Sequence, residues 1–399
     1  MHRPLWTRSR LVTAAATAAV LVAAMTGVAP ASAAATGHPI GIMGAGTNDF
    51  TGDGRADLTA LYDYGGGEAG LFVLPGTPTI ANNATTMDPV WWEGPGSYWP
   101  SVMKIAAGDY NGDGFSDVLA LYDYGGGEVG LYIYPGTATR NDITAAIPYR
   151  ISHVTSWGLV PSTAKVTAGD YTGDGLADLL VLNDYGGGSA GLLVFSGTTS
   201  RVQDSVFPHE VWRTPPRNFD VSRANVAAAD FTADGKDDLL VLYDYGNREF
   251  ALWVIPGTDA PVSGTVQPYW CWHTVGTHDS FSRAQLDTGD FNRDGRKDLV
   301  VRTDSVAWVV PHTTGAGDNA TWPEIYYPGG FPLNRAKSIV GDYNGDGAAD
   351  LIYLVDNGNG DAEVWVLAGG VPNSANRVPV EVWSTPGPGY FWPSVVKVA

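Results

Sequence analysis

Aspartates at positions 1, 5 and 9 of a nine-residue segment, with threonine or asparagine at position 3 and glycine at position 6, occur six times along the chain. The copies are Asp49, Thr51, Asp53 and Asp57; Asp109, Asn111, Asp113 and Asp117; Asp170, Thr172, Asp174 and Asp178; Asp230, Thr232, Asp234 and Asp238; Asp290, Asn292, Asp294 and Asp298; and Asp342, Asn344, Asp346 and Asp350. Carboxylates so close together repel one another unless a cation neutralises them. Oxygen donors at positions 1, 3, 5 and 9, joined by the carbonyl of position 7, match a hard cation with about six to eight oxygen ligands, Ca2+ in preference to Mg2+. Gly54, Gly114, Gly175, Gly235, Gly295 and Gly347 follow the central aspartate, where a sharp reversal needs positive φ. An EF-hand would need Glu three residues beyond the last aspartate, where this chain has Ala60 or Ala120. One copy alone reads equally well as an Asp-Gly turn with a solvated acidic face; six in register favour the metal.

The segments between these loops must hold them in place. Start-to-start spacings are 60, 61, 60, 60 and 52. After each loop comes an apolar run such as 118–122, then an aspartate (Asp63, Asp123, Asp184, Asp244, Asp304 or Asp356), a glycine turn such as 125–127 and a second apolar run such as 130–135. A variable link leads to a Trp-bearing run such as 210–212, and a last run such as 101–107 enters the next loop. Short runs rich in Val, Leu, Ile and Tyr, bounded by Gly and Asp, are strands. Four antiparallel strands in each repeat, with no polar linker between repeats, make a propeller blade rather than a chain of sandwiches. The fold class is therefore all-β, a β-propeller of six four-stranded blades, with seven left open, and a Ca2+ loop in each repeat. Expected blades span about 40–97, 98–158, 159–219, 220–279, 280–332 and 333–388. Residues 390–398 echo 98–105, so 389–399 is read as a strand closing the ring on the first blade, although 42–46 competes for that slot. The aspartates after each second strand are read as anchors of Asx type for the hairpins.

The D-[FY]-[NT]-x-D-G-x-x-D-[LV] unit resembles the FG-GAP, or VCBS, repeat of the integrin α-chain propeller and of many secreted bacterial proteins, over roughly residues 40–399. The resemblance implies Ca2+ in the loop between the first two strands of each blade. Integrin propellers have seven blades and fill only some of their cages, whereas this chain shows six units, each with a cage.

Composition sets the limits on function. The 399 residues include 51 Gly and 26 Pro, which disfavour long helices, while 44% apolar and 11% aromatic content supports a packed core. A net charge of −19 argues against nucleic acid or anionic lipid as partner. Cys271 is the single cysteine, which excludes a disulfide scaffold. Arg3, Arg8 and Arg10, the apolar run 11–29 and Ala31-Ser32-Ala33 read as a signal peptide over 1–33 that leaves a single propeller, 34–399, outside the cell and without a membrane anchor.

No set of residues points to catalysis. The histidines neither repeat nor carry a metal spacing, and Gly187-Gly-Ser-Ala-Gly191 matches a nucleophile elbow but sits in a hairpin. Cys271, between Trp270 and Trp272, reads as a buried small hydrophobe. Trp92, Trp99, Trp212, Trp383 and Trp392, next to the variable links, are the candidates for stacking on sugar rings or gripping a partner protein. Fungal lectins with integrin-like propellers lend the glycan version an analogy. The reading is a secreted, calcium-stabilised binding module for extracellular glycan or protein, without catalysis. Its rival is a polysaccharide lyase or hydrolase with a site at one propeller mouth, which would need a cluster of His, Arg or carboxylates that does not repeat.

Overall fold

The computed structural model describes residues 48–399 apart from 83–84, 156, 260, 262–263, 265, 276–282, 305–306, 311–323, 326–330, 371–377, 386–395 and 399. Residues 1–33, expected to be a signal peptide, residues 42–46 and Trp392 lie outside the described residues.

The apolar runs flanking each acidic loop form six antiparallel sheets of four strands. In the second blade the strands run Met103–Gly108, Asp117–Gly125, Glu128–Tyr134 and Tyr149–Thr155, from the innermost outward. The third, fourth, fifth and sixth blades begin with the innermost strands Lys165–Gly169, Ala224–Ala229, Gln285–Gly289 and Ala336–Gly341. The first blade takes its innermost strand from the C-terminus. Val396–Val398 pairs antiparallel with Leu58–Gly65, setting Lys397 opposite Leu61 and Val398 opposite Ala60. The ring has six blades, not seven, and no blade lacks its innermost edge.

The second strands are nearly continuous apolar runs because both of their faces pack against neighbouring sheets. Leu119, Leu121 and Ile133 of the second blade share one buried cluster with Leu179, Val181 and Phe195 of the third, each such side chain contributing about 1.5–3 kcal/mol on burial. Outer edges are covered by the next blade: the link residues Ala146, Val206 and Gly264 donate N–H bonds to Val90, Ile151 and Val211 on the preceding outermost strands. That occupies carbonyls which would otherwise template edge pairing.

The hairpin aspartates act as anchors. Asp63, Asp123, Asp184, Asp244 and Asp356 each accept the N–H of the glycine two residues on, at 2.6 to 2.8 Å. The fifth blade has the shorter pair Asp298–Arg302 and Ala307–Val310. Its Asp304 instead accepts the Leu333 N–H at 2.9 Å.

Candidate functional site

Each acidic loop joins the innermost strand of its blade to the second strand, and its first-position carboxylate organises the turn. Asp49 accepts the N–H groups of Asp53 and Gly54 at 3.0 and 2.8 Å, and the same pair of bonds recurs on Asp109, Asp170, Asp230, Asp290 and Asp342. The sixth-position glycines have φ of 85 to 87° with nothing near the place of a Cβ, so backbone conformation alone demands glycine there. The fifth-position carboxylate lies further out and caps the seventh-position N–H, as Asp53 does for Arg55 at 3.0 Å. Several are also paired with a basic side chain: Asp53 with Arg55 at 2.7 Å, Asp346 with Arg293 at 2.7 Å, Asp234 with Lys236 at 3.8 Å.

The ninth-position aspartates have a different task. Asp57, Asp117, Asp178, Asp238, Asp298 and Asp350 are fully buried. In five of them one oxygen faces the start of the loop, as Asp57 accepts the Thr51 N–H at 2.7 Å, and the other accepts a glycine N–H beyond the third strand, Gly76 at 2.9 Å; Asp298 accepts the Phe291 N–H and the Asn292 side-chain nitrogen instead. Burial pushes all six carboxyls up to about 7 against the pull of these backbone donors. Asp49, Asp109 and Asp170 are also raised, by burial first and by the neighbouring fifth-position carboxylate as a further cause.

Among the described residues, no group of three or more His, Cys, Asp or Glu side chains stands together as a metal cluster. The loops bring positions 1, 3 and 5 to one turn, while position 9 accepts backbone N–H groups from beneath it. Position 3 provides the test of fit. The hydroxyl oxygens of Thr51, Thr172 and Thr232 are buried and have no hydrogen-bond partner, a state that costs about 1–3 kcal/mol when nothing satisfies it. In these three loops a neutral oxygen stands unsatisfied beside two carboxylates, a donor set that suits a hard cation. The asparagine loops differ: Asn111 turns its amide nitrogen to Asp117 at 2.9 Å, and Asn292 and Asn344 accept the Asp294 and Asp346 N–H groups at 2.8 Å.

Neighbouring loops are stitched together. At five of the six junctions the eighth-position N–H donates to the first-position carbonyl of the preceding blade: Ser116 to Asp49, Ala177 to Asp109, Asp237 to Asp170, Ala349 to Asp290 and Ala56 to Asp342, at 2.7 to 2.8 Å. The last of these crosses the junction of the sixth blade with the first. The acidic loops thus form a hydrogen-bonded belt around one face of the ring.

Residues 109–181 and 290–353 match the FG-GAP-like repeat. The chain is a six-bladed β-propeller that carries FG-GAP-like repeats. Among solved structures, an Agrocybe aegerita lectin described as recognising non-reducing terminal N-acetylglucosamine is similar at a TM-score of 0.50 and 15% identity, over 87% of this chain and 95% of its own. At that identity the likeness supports the propeller fold alone. A quinoprotein alcohol dehydrogenase-like protein from Bacteroides thetaiotaomicron reaches a TM-score of 0.33 at 10% identity over 82% of this chain and 66% of its own. A TcdB2–TccC3–Cdc42 complex reaches 0.35 at 17% identity over 82% of this chain and 15% of that one. Neither score carries an argument. No curated protein matches in sequence.

The opposite face of the FG-GAP propeller, at the glycine hairpins, presents aromatic rings. Tyr64, Tyr124 and Tyr245 are 49%, 41% and 39% exposed, and Tyr185 is half-buried at the same hairpin position. Tyr64, Tyr124 and Tyr185 lie over Gly70, Gly130 and Gly191, whose added Cβ would come within 2.8 to 3.4 Å of the ring. Polar groups stand beside three of them. His153 bonds Glu128 at 2.8 Å and lies 5.8 Å from the Tyr124 ring; His273 bonds Glu249 at 3.1 Å and lies 6.5 Å from Tyr245. Tyr185 donates to Glu210 at 2.8 Å with the Arg213 guanidinium 3.8 Å over its ring.

Of the tryptophans singled out from the sequence, Trp99 is exposed and packs over the hairpin at Gly67. Trp92 is half-buried. Trp212 and Trp383 pack against the cores between blades. Sequence reasoning missed the tyrosines. The signal was present in Asp-Tyr-Gly-Gly-Gly followed three residues later by Gly, a pattern read only as a turn.

Proposed function

We propose that this propeller is a secreted binding module for extracellular glycans, stiffened by Ca2+ in its acidic loops, and that it does no catalysis. The observation that carries the reading is the tyrosine at one hairpin position in four consecutive blades, its ring spread over a glycine in three of them and flanked by a carboxylate in three. Flat aromatic faces beside hydrogen-bonding groups match sugar rings, which show apolar C–H faces and hydroxyl edges. Repetition supports avidity, because several weak subsites on one rigid ring bind a branched or surface-bound glycan together. Arg302 and Gln285 of the fifth blade and Ser338 of the sixth form a polar cluster that does not repeat around the ring, as an enzyme site would. It is a structural cluster, because the buried guanidinium spends its donors on Gln285 and on the Phe331 and Ala336 carbonyls.

In the acidic loops Asp49, Thr51 and Asp53, with the Arg55 carbonyl, and the same positions of the other repeats would hold the ion. When bound, Ca2+ would neutralise the paired carboxylates and fix the belt. Asp57 and its counterparts hold the turn that shapes the site.

The test is a glycan array with the calcium-loaded propeller, including N-acetylglucosamine-terminated chains, followed by Tyr64→Ala, Tyr124→Ala, Tyr185→Ala and Tyr245→Ala singly and combined. Graded loss as tyrosines are removed is expected. A folded quadruple variant that binds as well as the parent, or a parent that binds no glycan, would overturn the reading.

A further inference from the structure

The chain contains six lysines, and four of them, Lys104, Lys165, Lys337 and Lys397, occupy one structural position. Each lies on an innermost strand, paired with the leucine at the same place on its second strand: Lys104 with Leu121, Lys165 with Leu182, Lys337 with Leu354, Lys397 with Leu61. The remaining two places hold Asn225, opposite Leu242, and Gln285, opposite Arg302. Because the sheets close into a ring, equal register means equal height around the axis. The four lysines therefore fall on four consecutive blades, the sixth, first, second and third. They stand at the end of the channel away from the acidic belt, since each innermost strand enters its acidic loop at the other end.

The placement is electrostatically costly. All four side chains are half-buried. Lys337 is pushed down to about 8 by burial and then by Lys397; Lys165 and Lys397 are lowered by burial and then by Lys104. Asp356 and Asp63 offset part of this at Lys337 and Lys397. A chain with net charge −19 has set most of its lysines where they repel one another. Structural need does not explain it, because Asn225 and Gln285 fill the same place in the same kind of strand. Deeper in, the channel is lined by small and apolar residues such as Ala107, Ala168 and Val226 together with the polar Thr167, Asp287 and Ser338.

We propose that the lysine arc at this channel mouth binds a small dianionic oxyanion, held by the ammonium groups of Lys104, Lys165, Lys337 and Lys397. The site is separate from the tyrosine platforms and stands whether or not those bind glycan. Tetrahedral inorganic dianions and dicarboxylates share the required chemistry, and the experiment distinguishes them.

The probes are sodium sulfate and sodium succinate, titrated by calorimetry into the calcium-loaded protein at low ionic strength, with sodium chloride at matched ionic strength as control. One-to-one binding of at least one dianion is expected, with an affinity that falls as chloride is added. Sulfate alone marks an inorganic ligand, succinate alone a carboxylic acid. The Lys104→Met/Lys397→Met variant should bind at least tenfold more weakly, while Arg140→Gln, a surface cation in the outer link of the second blade, binds as the parent does. Where the double variant does not fold, Lys165→Gln alone gives the same reading. No binding of either dianion by the parent, or unchanged affinity in a folded lysine variant, would overturn the proposal.

Discussion

Asp117 accepts the backbone N–H of Gly136, nineteen residues on, at 3.0 Å, and so ties the acidic loop of the second blade to the turn after its third strand. The contact recurs at the same separation between Asp57 and Gly76, Asp178 and Gly197, Asp238 and Gly257, and Asp350 and Gly369, at 2.7 to 2.9 Å. Two forces oppose each other at this carboxylate. Burial disfavours its charge, so loss of charge would stabilise; yet Gly136, Tyr110 and both nitrogens of Asn111 all donate to it, and only an acceptor satisfies them. Asp117→Asn tests which wins, because it removes the charge and turns an NH2 toward a donor. The hydrogen bonds are expected to win, with a loss of about 1–3 kcal/mol in the denaturation midpoint. Asp113→Asn, on the exposed rim of the same loop, should change stability measured in chelator by less than about 0.5 kcal/mol.

Much of this architecture was legible in the sequence because it repeats. The period of about 60 residues and the glycine at position 6 specified the blades and the left-handed turn before any coordinate, and the aspartate after each second strand specified the hairpin anchor. The role of position 9 was not legible. Asp57 reads as a fourth ligand by spacing; the structure adds that one of its oxygens accepts the N–H of a glycine nineteen residues on, across two strands, and sequence spacing carries no sign of that contact. Gly136 is likewise required for a reason no local pattern shows: a Cβ there would stand 2.6 Å from the Ser116 carbonyl. The lysine arc was hidden too, because equal height around the axis emerges only when the strands are registered in a closed ring.

Thr172 gives the calcium proposal a test independent of glycan binding. Its hydroxyl is buried without a partner in the third acidic loop. Without metal, Thr172→Val removes an unsatisfied oxygen and should leave thermal stability equal or higher. With millimolar Ca2+ the parent should gain about 1.4 kcal/mol for each site filled at ten times its dissociation constant, and Thr172→Val should forfeit that gain at its own site. Melts in chelator and in Ca2+ check both arms; a parent whose melting temperature is the same in both would remove calcium from the account.

Arg302 stands where other blades have Leu61, Leu121, Leu182, Leu242 and Leu354, and its partner Gln285 stands where four blades have lysine. The guanidinium is 3% exposed and bonds the Gln285 side-chain oxygen at 2.6 Å and the Ala336 carbonyl at 2.6 Å. Arg302→Leu restores the repeat's apolar core but strands the Gln285 oxygen and two carbonyls, so it should cost about 2–4 kcal/mol. Adding Gln285→Lys rebuilds the leucine–lysine pair of the other blades and should recover part of the loss. A double-mutant cycle by chemical denaturation should show coupling above about 0.5 kcal/mol.

The lysine arc also makes stability depend on alkaline pH. Burial, then Lys397, pushes Lys337 down to about 8 while Asp356 pulls the other way. The unfolded chain releases this proton near its ordinary value, about 10.4. Between about pH 8 and 10 the unfolded state therefore binds more protons than the folded one, and stability rises with pH across that window. Lys165 and Lys397, shifted in the same direction, add to the rise. Above about pH 10 the buried tyrosines, raised by burial, act in the opposite sense. Urea midpoints at pH 8.0 and 9.5 should differ by about 1–3 kcal/mol in favour of the higher pH, and Lys337→Met should flatten part of that slope while raising stability at pH 8.0. A parent protein that loses stability between these two values would show that its lysines carry no mutual strain.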